Sequence, residues 1–90
     1  MSHLIAQKPK LLARVRRLRG QIDAIERALE ADAPCGDVLN LVASIRGAIG
    51  GLTAELIEDH IREHVIKASD ASTREQGAAE LIDVVRMYLK

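Results

Sequence analysis

The sequence predicts an all-α fold of three amphipathic helices. Apolar residues recur at alternating spacings of three and four along most of the chain, and no segment shows the period-two alternation that is typical of strands. The 90 residues include one tyrosine and no phenylalanine or tryptophan, so the side chains offer little volume for a core. We therefore expect one domain spanning residues 1–90, and a chain that completes its core by self-association.

The first two helices are predicted from their apolar seams. The first runs from about Gln7 to Glu30, and Pro9 suits only its opening turn. Its seam consists of Leu11, Val15, Leu18, Ile22, Ile25 and Leu29. After a break marked by Pro34 and Gly36, the second helix runs from about Asp37 to Lys67. Its seam consists of Val38, Val42, Ile45, Ile49, Leu52 and Leu56.

A third helix is predicted from about Thr73 to Leu89, after the polar break at residues 69–72. Ser72 or Thr73 is expected to cap it, with Glu75 or Gln76 three residues further on, as in a capping box. The residues that this helix is expected to bury are Ala78, Leu81, Ile82, Val85, Tyr88 and Leu89.

Basic residues concentrate in the first predicted helix. Residues 8–19 carry six basic side chains and no acidic one, although the net charge of the chain is zero. A cationic stripe with a polar amide suits contact with DNA phosphates, whereas the alternative is a solvated helix face. The candidate DNA contacts are Lys10, Arg14, Arg17 and Gln21 on one stripe, Arg16 and Arg19 on its other flank, and Arg46 in the second helix. Arg46 either adds to this surface or pairs with an acid.

Four side chains are candidate metal ligands: His3, Cys35, His60 and His64. His60 and His64 lie four residues apart, which places both imidazoles on one helix face within reach of one ion. Cys35 stands at a helix start, where the helix dipole favours a thiolate. One thiolate with imidazoles suits nickel, cobalt and zinc. The alternatives are exposed helical histidines, a cysteine that acts as a small apolar residue, and a histidine in a disordered tail.

The spacing of these candidates predicts how two chains pair. If the second helix is continuous, Cys35 and His60 are separated by roughly 37 Å, at about 1.5 Å per residue, and they cannot share an ion within one helix. They meet across an antiparallel partner helix that crosses near residues 47–50, within the segment Gly47–Gly51 that holds three glycines. Each glycine costs a helix about 1 kcal/mol relative to alanine, and close approach of two helices explains that cost. The alternative is a kinked or weak helix. We therefore expect an antiparallel dimer with two intersubunit metal sites.

Several classes of protein are disfavoured. No stretch approaches the roughly 20 apolar residues that a membrane span needs, and the N-terminus lacks the apolar region of a secretion signal. The single cysteine cannot form an internal disulfide. We therefore expect a cytoplasmic protein. An enzyme is not expected, because Glu63 is the only acid–base candidate near the predicted ligands.

Three features occur together: the stretch Arg14–Ile22, the run Ile45–Ala48 followed by Gly51-Leu52, and the set of Cys35 with His60 and His64. In combination they resemble the CsoR/RcnR/FrmR family of bacterial repressors over nearly the whole chain. The resemblance implies three-helix protomers, antiparallel dimers with a four-helix core, and a disc-shaped dimer of dimers. It also implies that the metal-free homotetramer binds operator DNA and releases it when an effector binds. One departure is Gly50-Gly51, where the family usually has Asn-Gly.

The ligand set favours the nickel/cobalt branch of that family, the RcnR type. That branch carries histidines at the positions of His3, His60 and His64 beside Cys35, with the cysteine from one protomer and His60 and His64 from its partner. It also begins with Met-Ser-His, as this chain does. Copper sensors carry a second cysteine in place of His64, and persulfide sensors need two cysteines.

The formaldehyde branch, the FrmR type, is the main alternative. It shares Cys35 and His60, and its sequence resembles this chain over Arg14–Asp23 and His60–Glu63, but it usually has proline where this chain has Ser2. The sequence therefore predicts a nickel- or cobalt-responsive repressor, of a metal-efflux gene. The alternatives are a formaldehyde-responsive repressor that uses Cys35 as a nucleophile, and a metal-storage or structural helical protein without a DNA role.

Overall fold

The structure, a computed structural model, describes residues 3–90 except for the side chain of His3. It contains three α-helices, at His3–Glu30 (α1), Cys35–Ile61 (α2) and Ala71–Tyr88 (α3), and a π-helical segment at Arg62–Ile66 that extends α2. The described residues contain no strand, so the all-α prediction is confirmed. The chain divides into two compact units, Met1–Thr53 and Ala54–Lys90, with the boundary inside α2. No helix among residues 3–90 combines the length and the apolar character that crossing a membrane requires.

α1 begins four residues before its predicted start. Pro9 consequently lies inside the helix and not in its opening turn, which corrects the prediction. An interior proline leaves one helical hydrogen bond unmade. The lost bond is the one that the carbonyl of Ile5 would accept, so the disruption is confined to the first two turns of the helix.

α1 ends in a Schellman turn formed around Asp32. The φ of Asp32 is 54°, in the left-handed region, and the N–H of Ala33 donates to the carbonyl of Ala28 at 2.9 Å. Asp32, and not a glycine, occupies this left-handed position, and aspartate adopts that conformation more readily than most residues. Pro34 then precedes α2, and its carbonyl accepts from the N–H of Asp37 at 2.9 Å.

In the first unit, each predicted seam divides into a covered line and an exposed line. The covered positions are half-buried or buried: Leu11, Leu18 and Ile25 on α1, and Val38, Ile45 and Leu52 on α2. Ile45, at 8% exposure, is the buried hydrophobic residue of the described chain. The exposed positions are Val15, Ile22, Leu29, Val42 and Ile49. Residues of one line are seven apart, so each helix presents two apolar edges, of which a single chain covers only one.

In the second unit, α3 begins two residues earlier than predicted and is capped by Asp70. The Asp70 carboxylate accepts from the backbone N–H of Thr73 at 2.8 Å, so the prediction of Ser72 or Thr73 as the cap is wrong. Burial along α3 also differs from the prediction. Ala78 and Leu81 are half-buried. The other four predicted core residues, Ile82, Val85, Tyr88 and Leu89, are exposed, because no other element of the unit covers their side of α3.

Candidate metal site and nucleic-acid interface

The imidazoles of His60 and His64 are neighbours at the end of α2. Their ring centroids are 4.8 Å apart and their planes are tilted by 46°. His60 is the last residue but one of α2, and His64 is in the middle of the π-helical segment. Both residues are half-buried. Imidazole nitrogens suit nickel, cobalt and zinc, so this pair fits one part of a site for such an ion.

The turn that carries His64 is wider than predicted. The sequence predicts an α-helix as far as Lys67, but the α-helical pattern stops at Ile61, and the N–H of Lys67 donates to the carbonyl of Arg62 at 3.0 Å. Arg74 of α3 donates to the carbonyls of Val65, at 3.3 Å, and Ala68, at 3.1 Å. These donors come from a different helix, and periodicity within one segment therefore gives no sign of them. Single π turns inside α-helices often mark functional sites.

Gly77 of α3 contacts both histidines, although it is not among the residues that the sequence predicts for the site. Nε2 of His60 lies 2.9 Å from the carbonyl oxygen of Gly77. Gly77 is itself buried, and a Cβ atom at this position would collide with the carbonyl oxygen of His64 and come within 2.9 Å of its carbonyl carbon. Only glycine therefore fits at position 77. The available signal was a glycine in the middle of a predicted helix, where it is unfavourable without a packing reason.

Cys35 is the first residue of α2, and its thiol is exposed. Cys35 and His60 thus stand at opposite ends of one helix. The side chain of the fourth predicted ligand, His3, lies outside the described residues. Among the residues that are described, no group of three or more histidine, cysteine, aspartate or glutamate side chains lies close enough together to hold a metal ion.

A groove of about 240 Å³ lies between α1 and α2 in the first unit. Its lining combines three predicted DNA contacts with small residues of α2: Arg14, Arg17, Leu18, Gln21, Gly47, Ala48 and Gly51. A Cβ atom at Gly51 would lie 3.4 Å from Nη1 of Arg14. The Arg14 guanidinium thus lies beside the backbone of Gly51, and such groups are suited to phosphate recognition.

The remaining predicted DNA contacts surround this groove or lie elsewhere on the same unit. Lys10, Arg16 and Arg19 are exposed on α1, and Arg46 is exposed on α2. Gln21 is half-buried and donates from Nε2 to Oγ of Ser44 at 3.3 Å, while its Oε1 is buried with no hydrogen-bond partner. The Gln21 amide therefore links α1 to α2 at the edge of the groove.

Residues 7–87 match the family model described as "Metal-sensitive transcriptional repressor". An uncharacterized protein from the bioA 5′ region of Serratia marcescens is 49% identical over 92 residues, with 100% of each chain covered. The transcriptional repressor RcnR of Salmonella paratyphi B is 39% identical over 90 residues, again with 100% of each chain covered. A solved structure, a glutamate-to-histidine variant of the formaldehyde-responsive regulator FrmR from Salmonella enterica serovar Typhimurium, has a TM-score of 0.85 and 39% identity. The alignment covers 92% of this chain and 94% of that one.

Proposed function

The chain belongs to the metal-sensitive transcriptional repressor family, the CsoR/RcnR/FrmR family, and from this membership we propose that it is a nickel- or cobalt-responsive repressor. Members of the family are transcriptional repressors and not enzymes. In this proposal, the metal-free protein binds operator DNA in the cytoplasm, and it releases the DNA when nickel or cobalt binds. The gene that it controls is proposed to serve metal efflux.

The observation that carries this proposal is the His60–His64 pair, with ring centroids 4.8 Å apart. Two adjacent imidazole nitrogens can coordinate a metal ion of borderline softness, and the Cys35 thiolate adds a softer ligand. Nickel, cobalt and zinc accept both kinds of ligand. His3 is the proposed fourth ligand. A bound ion would draw these ligands together and hold the start of α1 near the end of a neighbouring α2.

We propose that the ligands come from two chains. Cys35 and His60 occupy opposite ends of α2, so an antiparallel partner brings the cysteine of one protomer to the histidines of the other. The exposed apolar line at Val15, Ile22 and Leu29, with 54% exposure at Ile22, supports such a pairing. The full assembly is proposed to be a homotetramer, a dimer of dimers.

Operator DNA is proposed to bind at the basic groove of the first unit. Arg14 and Arg17 line this groove, and phosphate contacts from such side chains supply most of the salt-dependent affinity for DNA. Lys10, Arg16, Arg19 and Arg46 extend the cationic surface around it, and Gln21 fixes the spacing of the two helices. Tethering of the N-terminal segment by the metal moves α1, and with it the basic stripe, out of register with the phosphates.

The test is operator binding, measured by fluorescence anisotropy with a duplex selected from a random DNA pool. The metal-free protein is titrated onto the duplex, and nickel, cobalt, zinc, copper(I) or formaldehyde is then added separately. Nickel and cobalt are expected to release the DNA. The matched controls are His64→Ala and Cys35→Ser, which should bind DNA but not respond to either metal. A complex that survives both metals but dissociates with formaldehyde contradicts the choice of effector.

A formaldehyde-responsive repressor is the second candidate, and the likeness to the FrmR variant favours it. In the proposed reaction with its effector, the Cys35 thiolate adds to formaldehyde to give a hydroxymethyl thioether. Loss of water with a nearby amine then forms a methylene link. The exposed position of Cys35 is compatible with this chemistry. Intact-mass spectrometry distinguishes the two candidates, because a stable link adds the mass of one carbon atom and is absent from Cys35→Ser.

A further inference from the structure

We propose that Gly77 is a positioning residue for the effector site, whose carbonyl fixes the tautomer of His60 and whose missing side chain lets α3 seat against His64. This inference rests on the proposed function, in which both histidines bind the effector. The contacts themselves do not depend on it. One residue of α3 therefore determines which ring nitrogen of His60 remains available and where the backbone of His64 lies.

The tautomer follows from the partner of His60. A backbone carbonyl can only accept a hydrogen bond, so the 2.9 Å contact with Gly77 requires the proton to be on Nε2 of the neutral ring. Glu80 is the other polar group near this nitrogen, but its Oε2 is 3.9 Å away and its side chain is 55% exposed. The Gly77 carbonyl is therefore the closer and better fixed partner. Nδ1 is left with the lone pair that a metal ion or a proton can take.

A hydrogen bond of this kind affects how tightly a histidine binds a metal ion, as well as how its ring is oriented. A ligating imidazole commonly donates its second N–H to a carbonyl or carboxylate, and loss of that partner typically weakens metal binding by about 10–100-fold. In this chain the acceptor is a main-chain atom, so no side-chain substitution can remove it directly. It can be displaced by pushing α3 away from the π-helical segment.

A side chain at position 77 would push α3 away in this manner. A methyl group there would overlap the carbonyl of His64, and α3 must move away to accommodate it. This movement lengthens the contact between Nε2 of His60 and the Gly77 carbonyl. Gly77→Ala is therefore expected to disturb both histidines at once, although neither of them is changed.

The first experiment uses the wild-type protein without metal. Long-range ¹H–¹⁵N spectra of histidine-labelled protein report the protonation of each ring nitrogen. The spectra are recorded in the alkaline range where they no longer change with pH, and His60→Gln assigns the His60 signals. The expected result is the Nε2–H tautomer of His60. A predominant Nδ1–H tautomer, or rapid averaging of both, overturns the proposal, whichever effector the protein senses.

The second experiment compares Gly77→Ala with the matched control Gly20→Ala, which has nothing within 4 Å of its added methyl group. Cobalt affinity is measured by chelator competition, and the ligand-field spectrum of cobalt(II) reports the coordination. Gly77→Ala is expected to weaken binding by at least about tenfold and to change this spectrum, whereas Gly20→Ala leaves both unchanged. A folded Gly77→Ala protein that keeps wild-type affinity and tautomer overturns the proposal.

Two further outcomes separate this inference from the proposed function. If circular dichroism shows that Gly77→Ala is unfolded, the wild-type tautomer decides the question alone. If the wild-type protein shows the Nε2–H tautomer but binds neither cobalt nor nickel, the proposed metal response is wrong, and the role of Gly77 in orienting His60 is supported.

Discussion

At the residue scale, the start of α3 depends on the carboxylate of Asp70. The hydrogen bond from the backbone N–H of Thr73 is the main cause that holds the pKa of Asp70 below its usual value, and the Thr73 hydroxyl adds to it. A group whose pKa is lowered in the folded state stabilises the fold above its unfolded pKa of about 3.9. This contribution is lost as the pH falls from about 4 through the lower folded pKa.

Two substitutions of Asp70 test this contribution. Asp70→Ala is expected to lower the melting temperature at neutral pH, because it removes the cap. Asp70→Asn retains a good cap without a charge, and is expected to melt closer to the wild type. Thermal denaturation followed by circular dichroism from pH 7 to pH 3 should show the advantage of wild type over Asp70→Asn shrinking below about pH 4. Equal melting of wild type and Asp70→Ala at pH 7 contradicts the cap assignment.

The sequence predicted the existence of this cap but not its position. Asp70, Ser72 and Thr73 are all good capping residues, and the choice among them depends on where the π-helical segment releases the chain. The contacts of Gly77 were likewise not predictable from the local sequence, since they are made with residues more than ten positions away. The adjacency of His60 and His64 was predictable because it depends only on local spacing.

At the element scale, α1 is predicted to provide the phosphate contacts. Replacement of Arg17 by alanine is expected to weaken operator binding and to lower the slope of log affinity against log salt by about 0.9. The matched control is Arg27→Ala, an exposed arginine of α1 that lies off the stripe. Anisotropy titrations at several salt concentrations measure both quantities. If Arg27→Ala reduces the slope as much as Arg17→Ala, the DNA does not follow the groove.

The glycines of α2 provide a second test at this scale. Nothing lies within 4 Å of an added methyl group at Gly47 or Gly50. In one chain alone, alanine at either position should therefore stabilise the helix by about 1 kcal/mol. If two α2 helices cross at these glycines, the same methyl groups instead collide with the partner helix. The proposed dimer thus predicts that alanine at Gly47 or Gly50 destabilises the protein, whereas a single chain alone predicts that it stabilises the helix.

We expect Gly47→Ala and Gly50→Ala to weaken self-association and to lower the melting temperature. Sedimentation equilibrium measures the association, and thermal denaturation measures the stability. Gly20→Ala is the control, because its methyl group also meets nothing within 4 Å and it lies outside the proposed crossing. If all three variants are stabilised and self-associate like the wild type, the crossing is placed wrongly.

At the scale of the whole molecule, one chain leaves many of its large apolar side chains exposed. Heptad spacing alone predicted seams but could not divide them, because a residue that faces a partner chain has the same periodicity as one that faces the chain's own core. The exposed side chains extend to the end of α3 and beyond it: Tyr88, its last residue, is 62% exposed, and the next residue, Leu89, is 81% exposed. Self-association is therefore part of the proposed folding of this protein and not a later addition to it.

The same coupling of chains predicts that bound metal and bound DNA weaken each other's binding. If metal releases the operator by favouring a different arrangement of the protomers, then bound DNA must weaken metal binding by the same factor. Typical coupling energies of about 1–3 kcal/mol correspond to about 5–150-fold. Nickel affinity is measured by chelator competition, with and without a saturating operator duplex. DNA affinity is measured with and without saturating nickel, at the same salt concentration and pH.

The two factors are expected to agree within experimental error, and both should approach one in His64→Ala, which removes a proposed ligand but no proposed DNA contact. Factors of one in the wild type contradict a metal switch, because nickel and DNA would then bind independently. If nickel gives a factor of one while added formaldehyde still releases the DNA, the effector is the aldehyde that reacts at Cys35. The measurement therefore tests the effector class as well as the mechanism.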